Sequence, residues 1–527
     1  MKSLRDLIWI LPSSLVLGLV LSLLGPGTWW IGWLAYFVIL ALGLLALSAL
    51  WRSAGATRTL GWMLLIALAL RLAVGIFFSY VLPAYGYVTQ VQQAGYIYRD
   101  AFTYDNQAWD LAASGAPLWK AFARSNGIEE QYGGLTFVLS LTYRVFSPDA
   151  HRVWLTMLLS ALVGTLGVGL AWKAARQAWG EAVALILGWI IALYPESLLV
   201  GCSQIREPYL ILFMAMAFWG GMTWQKDRRR TAWIWLVGSL LGMFVFSPGV
   251  AVVALIVLGV WFLLANREIH IHWGWVVGAG VFIVLASFVL SQIVAGSLNF
   301  QLNGGPLETL VKWLRVVAKT GAYGSITASG WFQVVFKVLP KSLRIPVMTA
   351  YGIAQPVLPA AIVDPTIWPM RVISILRSLG WYALLPLLIY SLRPAWKTAD
   401  RRVRMAWLWL WLTNWLWIIL ASVRAGGDEW DNPRYRVMLL IFQAALAAYS
   451  ICWARQTHDR WLVRLLAVEG VFVVLFGGWY VARYLVQALA AQMFTVLKGV
   501  ALASVLISGA ILVGGWIVDR RRSRSGH

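Results

Sequence analysis

Long uncharged hydrophobic runs recur along this chain, separated by short stretches in which charge collects. The runs fall at roughly 7–24, 29–50, 60–82, 150–172, 182–200, 208–224, 231–247, 249–265, 273–295, 373–392, 405–423, 437–454, 462–486 and 497–518. Each is about 17 residues or longer, the length a helix needs to cross a hydrocarbon slab about 30 Å thick. Their apolar character is continuous and does not alternate with period two. A bilayer offers backbone N–H and C=O groups no water, so the pattern predicts helices and not an open sheet or a barrel. The run MAWLWLWLTNWLWIIL (405–420) alternates tryptophan locally, but the uncharged stretch continues to Val423. On a helix Trp407, Trp411 and Trp415 share one face. The expectation is an all-α integral membrane protein with about 14 transmembrane helices. The first run follows MKSLRD and precedes GPGTWW, with no small-x-small cleavage site, and is read as an uncleaved span.

Two intervals between runs are long, 83–131 and 296–372, and connections of that length in a compact protein tend to carry function. The segment 132–146 is short for a span, about 22 Å if helical, and is predicted to lie in or against the membrane without crossing it. Within the second interval, 306–324 carries an apolar stripe of Leu307, Leu310, Val311, Leu314 and Val317 beside Lys312, Arg315 and Lys319. That is the pattern of an interfacial amphipathic helix, acting as an anchor or as a contact for an anionic head group.

Composition agrees: 61% of residues are hydrophobic and 34 are tryptophan. Charge then orients the spans. The net charge is +22, from 43 Lys and Arg against 21 Asp and Glu. The excess sits in short loops, at Arg52 and Arg58, Lys173 and Arg176, KDRRR (226–230), Arg267, RPAWKTADRRVR (393–404), Arg455 and Arg460, and the tail. Such clusters mark cytoplasmic loops and not a nucleic-acid surface, and no nucleic-acid partner is expected. Fourteen crossings place all of them inside, with both termini cytoplasmic in a bacterial-type plasma membrane. Cys202 and Cys452 then fall near opposite faces, too far apart for a disulfide. The five histidines form no cluster at metal-ligand spacing.

Three outward-facing places combine charge with proximity to the membrane: Asp100, Tyr104 and Asp105 in the first long loop; Arg206 and Glu207 in SQIREPYL (203–210); and Arg434 and Arg436 in RAGGDEWDNPRYR (424–436). Taken singly each is ordinary. Loop acids are commonly solvated, acids favour helix N-termini, and arginines anchor span ends at head-group level. All three fall on the non-cytoplasmic side, although acids play little part in the charge rule. Together they predict a site open to that face that handles an anionic, lipid-linked substrate.

At these residues the chain resembles the GT-C class of membrane glycosyltransferases, a group that includes protein O-mannosyltransferases, the lipid A aminoarabinose transferase and bacterial family-39-like enzymes. The class carries an early outer-loop acid in a pattern close to D-x-x-x-Y-x-x-x-A-x-x-L-x-x-x-G, here Asp100, Tyr104, Ala108, Leu111 and Gly115. YPESLLVGCSQIREPYLILF (194–213) resembles the later proline and second acid, and NPRYRVMLL the arginine pair that opens a span. The resemblance covers most of 60–455, which implies a catalytic module there, two extra N-terminal spans in 1–59, and C-terminal spans with a basic tail in 456–527. It departs from the class where the usual acidic pair reads Asp100–Ala101. No large soluble C-terminal domain follows, so an oligosaccharyltransferase-like enzyme is not expected. The resemblance implies transfer with inversion, from a polyprenyl-phosphate sugar to a glycan, lipid or protein acceptor. Asp100 would be the base, with Asp105 left open for that role, and Glu207 would assist. Arg434, Arg436 and Arg206 would hold the donor phosphate, and Tyr104, Asp105 and Lys319 would contact substrate. A divalent metal ion is left open. Two other readings stay open as well: a flippase for lipid-linked saccharides, and a ligase or polymerase using a lipid diphosphate. Transporters place ionisable residues inside their spans, and here Arg71 and Glu469 are the exceptions.

Overall fold

The apolar runs fold as helices. In the computed structural model, described for residues 2–122, 133–227, 230–265, 338–363, 366–424, 432–485 and 493–525, no strand occurs among those residues. Nine of their helices are long and apolar enough to cross a membrane: Trp29–Ser53, Arg58–Tyr85, Val153–Trp179, Pro248–Ala265, Trp368–Lys397, Arg401–Arg424, Pro433–Thr457, Trp461–Tyr484 and Val496–Arg521. All nine coincide with predicted spans. Of the other five, 273–295 lies outside the described residues. Three more are the helices Lys2–Leu23, Glu207–Asp227 and Thr231–Phe246. The fifth, 182–200, is broken: Glu181–Leu193 and Pro195–Gly201 meet at 58°. Proline explains the break, because it has no N–H to donate and drives the residue before it out of the helical region. Tyr194 is accordingly extended, at φ −59° and ψ 121°.

The chain divides into two units, Met1–Val317 with Arg434–Ala444, and Ala318–Pro433 with Ala445–His527. In the first, α1 (Lys2–Leu23), α2 (Trp29–Ser53) and α3 (Arg58–Tyr85) are followed by a short α4 (Gln90–Gln93) and by α5 (Arg99–Ala113) in the first long loop. Then come α6 (Gly134–Phe146), α7 (Val153–Trp179), the broken pair α8 (Glu181–Leu193) and α9 (Pro195–Gly201), α10 (Glu207–Asp227), α11 (Thr231–Phe246) and α12 (Pro248–Ala265). Helix α6, of 13 residues, is the short segment predicted not to cross. Helix α7 is the centre of this unit and packs against α2, α3, α8 and α10. Small residues permit that approach: a Cβ on Gly169 would come within 2.6 Å of Leu50.

Two buried arginines secure the frame. Arg71 on α3 donates to Ile191 O at 3.4 Å and to Ser197 Oγ at 2.9 Å, on either side of the α8–α9 break. A cation there compensates the carbonyl end of α8, which has lost its helical partners. Arg152, 1% exposed, grips Asp149 with both terminal nitrogens, at 2.5 and 2.9 Å, and donates to Thr28 O at 2.8 Å. This clasp ties the α1–α2 turn to the α6–α7 loop. The Arg152 hydrogen bonds hold the Asp149 carboxyl well below the usual carboxylate range, against an opposing effect of burial. A depressed carboxylate stabilises the fold above its ordinary titration range, and that stability disappears as pH falls towards the folded-state value. Asp149→Asn should therefore cost about 3 kcal/mol near neutral pH, because it leaves a buried guanidinium without its counter-charge. Unfolding curves in detergent should show wild type and variant converging as the solution is acidified.

In the second unit, α13 (Lys341–Ala354) and α14 (Leu358–Val363) precede α15 (Trp368–Tyr390), α16 (Leu392–Lys397) and α17 (Arg401–Arg424). The short α18 (Asn432–Arg436) is followed by α19 (Leu440–Thr457), and the residues Arg434–Ala444 are counted with the first unit. Helices α20 (Trp461–Leu485) and α21 (Met493–Ser525) complete the second unit. The amphipathic segment 306–324 lies outside the described residues.

Candidate active site

Helix α5 sorts its three aspartates. It begins at Arg99 because Tyr98 is extended, at φ −110° and ψ 138°, and an acid in the first turn suits the helix dipole. Ala101, Asp105, Ala108 and Ala112 are buried, one face at helical spacing, while Asp110 points to solvent. Asp100 sits at the margin between those faces, its side chain 39% exposed.

Asp105 faces inward and is fully buried. Its carboxylate accepts from Tyr96 OH at 2.7 Å, from Tyr143 OH at 2.8 and 2.9 Å, and from Thr156 Oγ1 at 3.0 Å. His151 Nε2 lies 2.8 Å away, its ring stacked on Trp109. Burial, and then the Asp105 charge, push the Tyr96 hydroxyl above the usual phenol range, so it remains a donor. Both carboxylate oxygens are thus occupied from α6, α7 and the loops beside them. Asp105 anchors α5 and presents no open face to a substrate.

Asp100 instead meets the other predicted residues. Arg434 Nη2 donates to Asp100 Oδ2 at 2.6 Å, and Arg434 Nε lies 3.3 Å from Glu207 Oε1. Glu207 opens α10 ahead of Pro208, a residue that costs no hydrogen bond in a first turn. It is 1% exposed, and Arg434 is 3% exposed. The guanidinium also lies over the Tyr98 and Tyr435 rings, 5.6 and 5.3 Å from their centroids. Two carboxylates from separate segments therefore share one cation flanked by aromatic faces. Arg436 is buried two residues further along, with its carbonyl accepting from Gln443 at 3.0 Å. Arg206 is partly exposed beside Glu207, Tyr104 is partly buried on α5, and Lys319 lies outside the described residues.

The sequence did not single out Tyr98 and Glu196. Tyr98 OH donates to Glu196 Oε1 at 3.0 Å, and both are buried. The signal was present: Glu196 is an acid inside a hydrophobic run, directly after the proline of YPES. As for the metal left open above, no three His, Cys, Asp or Glu side chains come together as ligands among the described residues. Asp100 and Glu207, the two acids considered for it, both lie against the Arg434 guanidinium.

Fold and site define an α-helical integral membrane protein with a buried acid–arginine cluster. No protein-family model matches the chain, and no curated protein matches its sequence. Among solved structures it is similar to the Archaeoglobus fulgidus oligosaccharyltransferase in the apo form, at 13% identity and TM-score 0.40, over 84% of this chain and 56% of that one. It is also similar to the archaeal oligosaccharyltransferase AglB of that organism in complex with an inhibitory peptide and a dolichol-phosphate, at 13% identity and TM-score 0.38, over 85% and 56%. The complex with Zn and sulfate matches at 14% identity and TM-score 0.38, over 83% and 53%. Oligosaccharyltransferases are the branch of the class that the sequence argued against, and this chain spans about half the length of these structures.

Proposed function

We propose that this chain is a membrane glycosyltransferase that moves a sugar from a polyprenyl-phosphate donor to an acceptor hydroxyl, with inversion, on the non-cytoplasmic face. One observation carries the reading: Arg434 is held between Asp100 and Glu207, and of these two acids Asp100 is the partly exposed one. An arginine fork suits a leaving phosphate, being permanently charged and able to donate two parallel hydrogen bonds. Glu207, Tyr98 and Tyr435 fix the guanidinium. A donor phosphate competes with Asp100 for the Nη edge and so releases the carboxylate. Asp100 then takes the proton from the acceptor hydroxyl as its oxygen bonds to C1. The bond from C1 to the phosphate oxygen breaks, and the phosphate leaves with the electron pair, its charge met by Arg434. Positive charge developing at C1 is offset by the same carboxylate.

The test is transfer from radiolabelled polyprenyl-phosphate sugars to envelope extract by purified protein in nanodiscs. Arg434→Ala should lower kcat/KM about 100-fold or more, chiefly through the KM for donor, because it removes a charge-assisted contact and leaves buried Glu207 unpaired. Arg434→Lys should recover only part of this, as a point charge cannot reproduce the fork. Wild-type turnover in Arg434→Ala would sink the assignment.

A further inference from the structure

Two adjoining cavities, of about 350 and 340 Å³, lie in the second unit and share Arg393 and Trp461 as walls. The first has an apolar floor of Ile389, Leu392 and Leu465, and its rim carries Arg393 and the exposed Lys397. The second is bounded by Trp516, Asp519 and the exposed Arg520, from the end of α21.

The cationic groups here are set in a framework. Arg393 Nε donates to Asp459 Oδ2 at 2.5 Å, and Tyr390 OH donates to the same oxygen at 3.0 Å. Arg464 is bidentate to Asp519, at 2.6 and 2.8 Å. The Trp461 ring lies against both guanidiniums, its centroid 5.2 Å from that of Arg393 and 5.0 Å from that of Arg464. Gly515 makes room for the second pair, since a Cβ there would fall 2.5 Å from Arg464 Nε.

Glycosyl transfer makes no use of these groups. Among the described residues, four cations (Arg393, Lys397, Arg464, Arg520) and two acids (Asp459, Asp519) line or brace the two cavities. The surrounding segments, 393–404 and 454–460, and the tail carry the basic clusters that the charge rule assigns to the cytoplasmic side. A cationic rim, tryptophans at the same level and an apolar floor together match a phosphate joined to an acylated glycerol. A soluble anion would leave the floor unused.

We propose that these cavities bind the headgroup of an anionic phospholipid of the cytoplasmic leaflet. The phosphate meets Arg393, Lys397 and Arg520, and the glycerol ester region lies on Ile389, Leu392 and Leu465.

The full-length protein is reconstituted in phosphatidylcholine nanodiscs with increasing phosphatidylglycerol, and retained lipid is read by native mass spectrometry. Reversing two rim charges, in Lys397→Glu with Arg520→Glu, should weaken phosphatidylglycerol retention at least about tenfold. The milder pair Lys397→Gln with Arg520→Gln should lose part of it, and serves if the reversal fails to fold. Arg455→Glu, at an exposed basic residue outside both cavities, should retain wild-type preference. Undiminished retention in both rim pairs, or equal loss in Arg455→Glu, overturns the site. Displacement by soluble glycerol 1-phosphate at the lipid's own concentration overturns a lipid as its occupant.

Discussion

Asp100→Asn is expected to slow sugar transfer about 1,000-fold while the donor binds at least as tightly as to wild type. The amide keeps the shape of the carboxylate but cannot take the acceptor proton. It also removes the negative charge that competes with a phosphate for Arg434, so the KM for donor should fall several-fold as kcat collapses. Stability should change little, because Glu207 still offsets the buried Arg434 charge and the Asp100 side chain is 39% exposed. Arg434→Ala should show the opposite division, a raised KM with a smaller loss in kcat. The double variant should fall well short of the product of the single effects, since both act on one ion pair. Steady-state kinetics on the three variants with a labelled polyprenyl-phosphate sugar check this. A rise in KM with kcat intact in Asp100→Asn would make Asp100 a clamp for Arg434 and not the base.

The membrane helices were legible because their cause is local. A bilayer forces each backbone group to bond within its own segment, so an uncharged run of sufficient length is already a helix. The break in 182–200 has an equally local cause in Pro195, although hydropathy continues unbroken across it. Partnership was another matter. Arg434 stood out as an arginine at the start of a span, but its contact with Asp100 joins positions 334 residues apart, and no period or spacing encodes such a distance. Asp105 shows the limit most clearly. Five positions from Asp100 in an equally polar stretch, it looked like an alternative base. What separates the two is a set of hydroxyls and a histidine contributed from 9 to 51 residues away.

Those partners make Asp105 the residue whose loss should most damage the fold. Asp105→Leu removes the acceptor for three buried hydroxyls and His151. Not all are stranded. Tyr143 OH and Thr156 Oγ1 already lie 3.0 Å apart and can bond each other, and Thr156 also reaches Val153 O at 3.0 Å. His151, 22% exposed at its side chain, can turn to water. Tyr96 has no such escape. With one stranded hydroxyl, two weakened ones and a branched side chain forced into a polar cavity, the cost should be about 3–5 kcal/mol. Asp105→Asn retains one acceptor and should cost about 1–2 kcal/mol. Denaturant unfolding in detergent measures both, and limited proteolysis across 83–122 reports whether α5 has come loose. If Asp105→Asn kept wild-type stability yet lost turnover as Asp100→Asn is expected to, the buried carboxylate would be serving chemistry and not anchorage. Loss of stability with turnover retained in the folded fraction would instead fix the division of labour on α5: one aspartate holds the helix so that the other can meet the arginine.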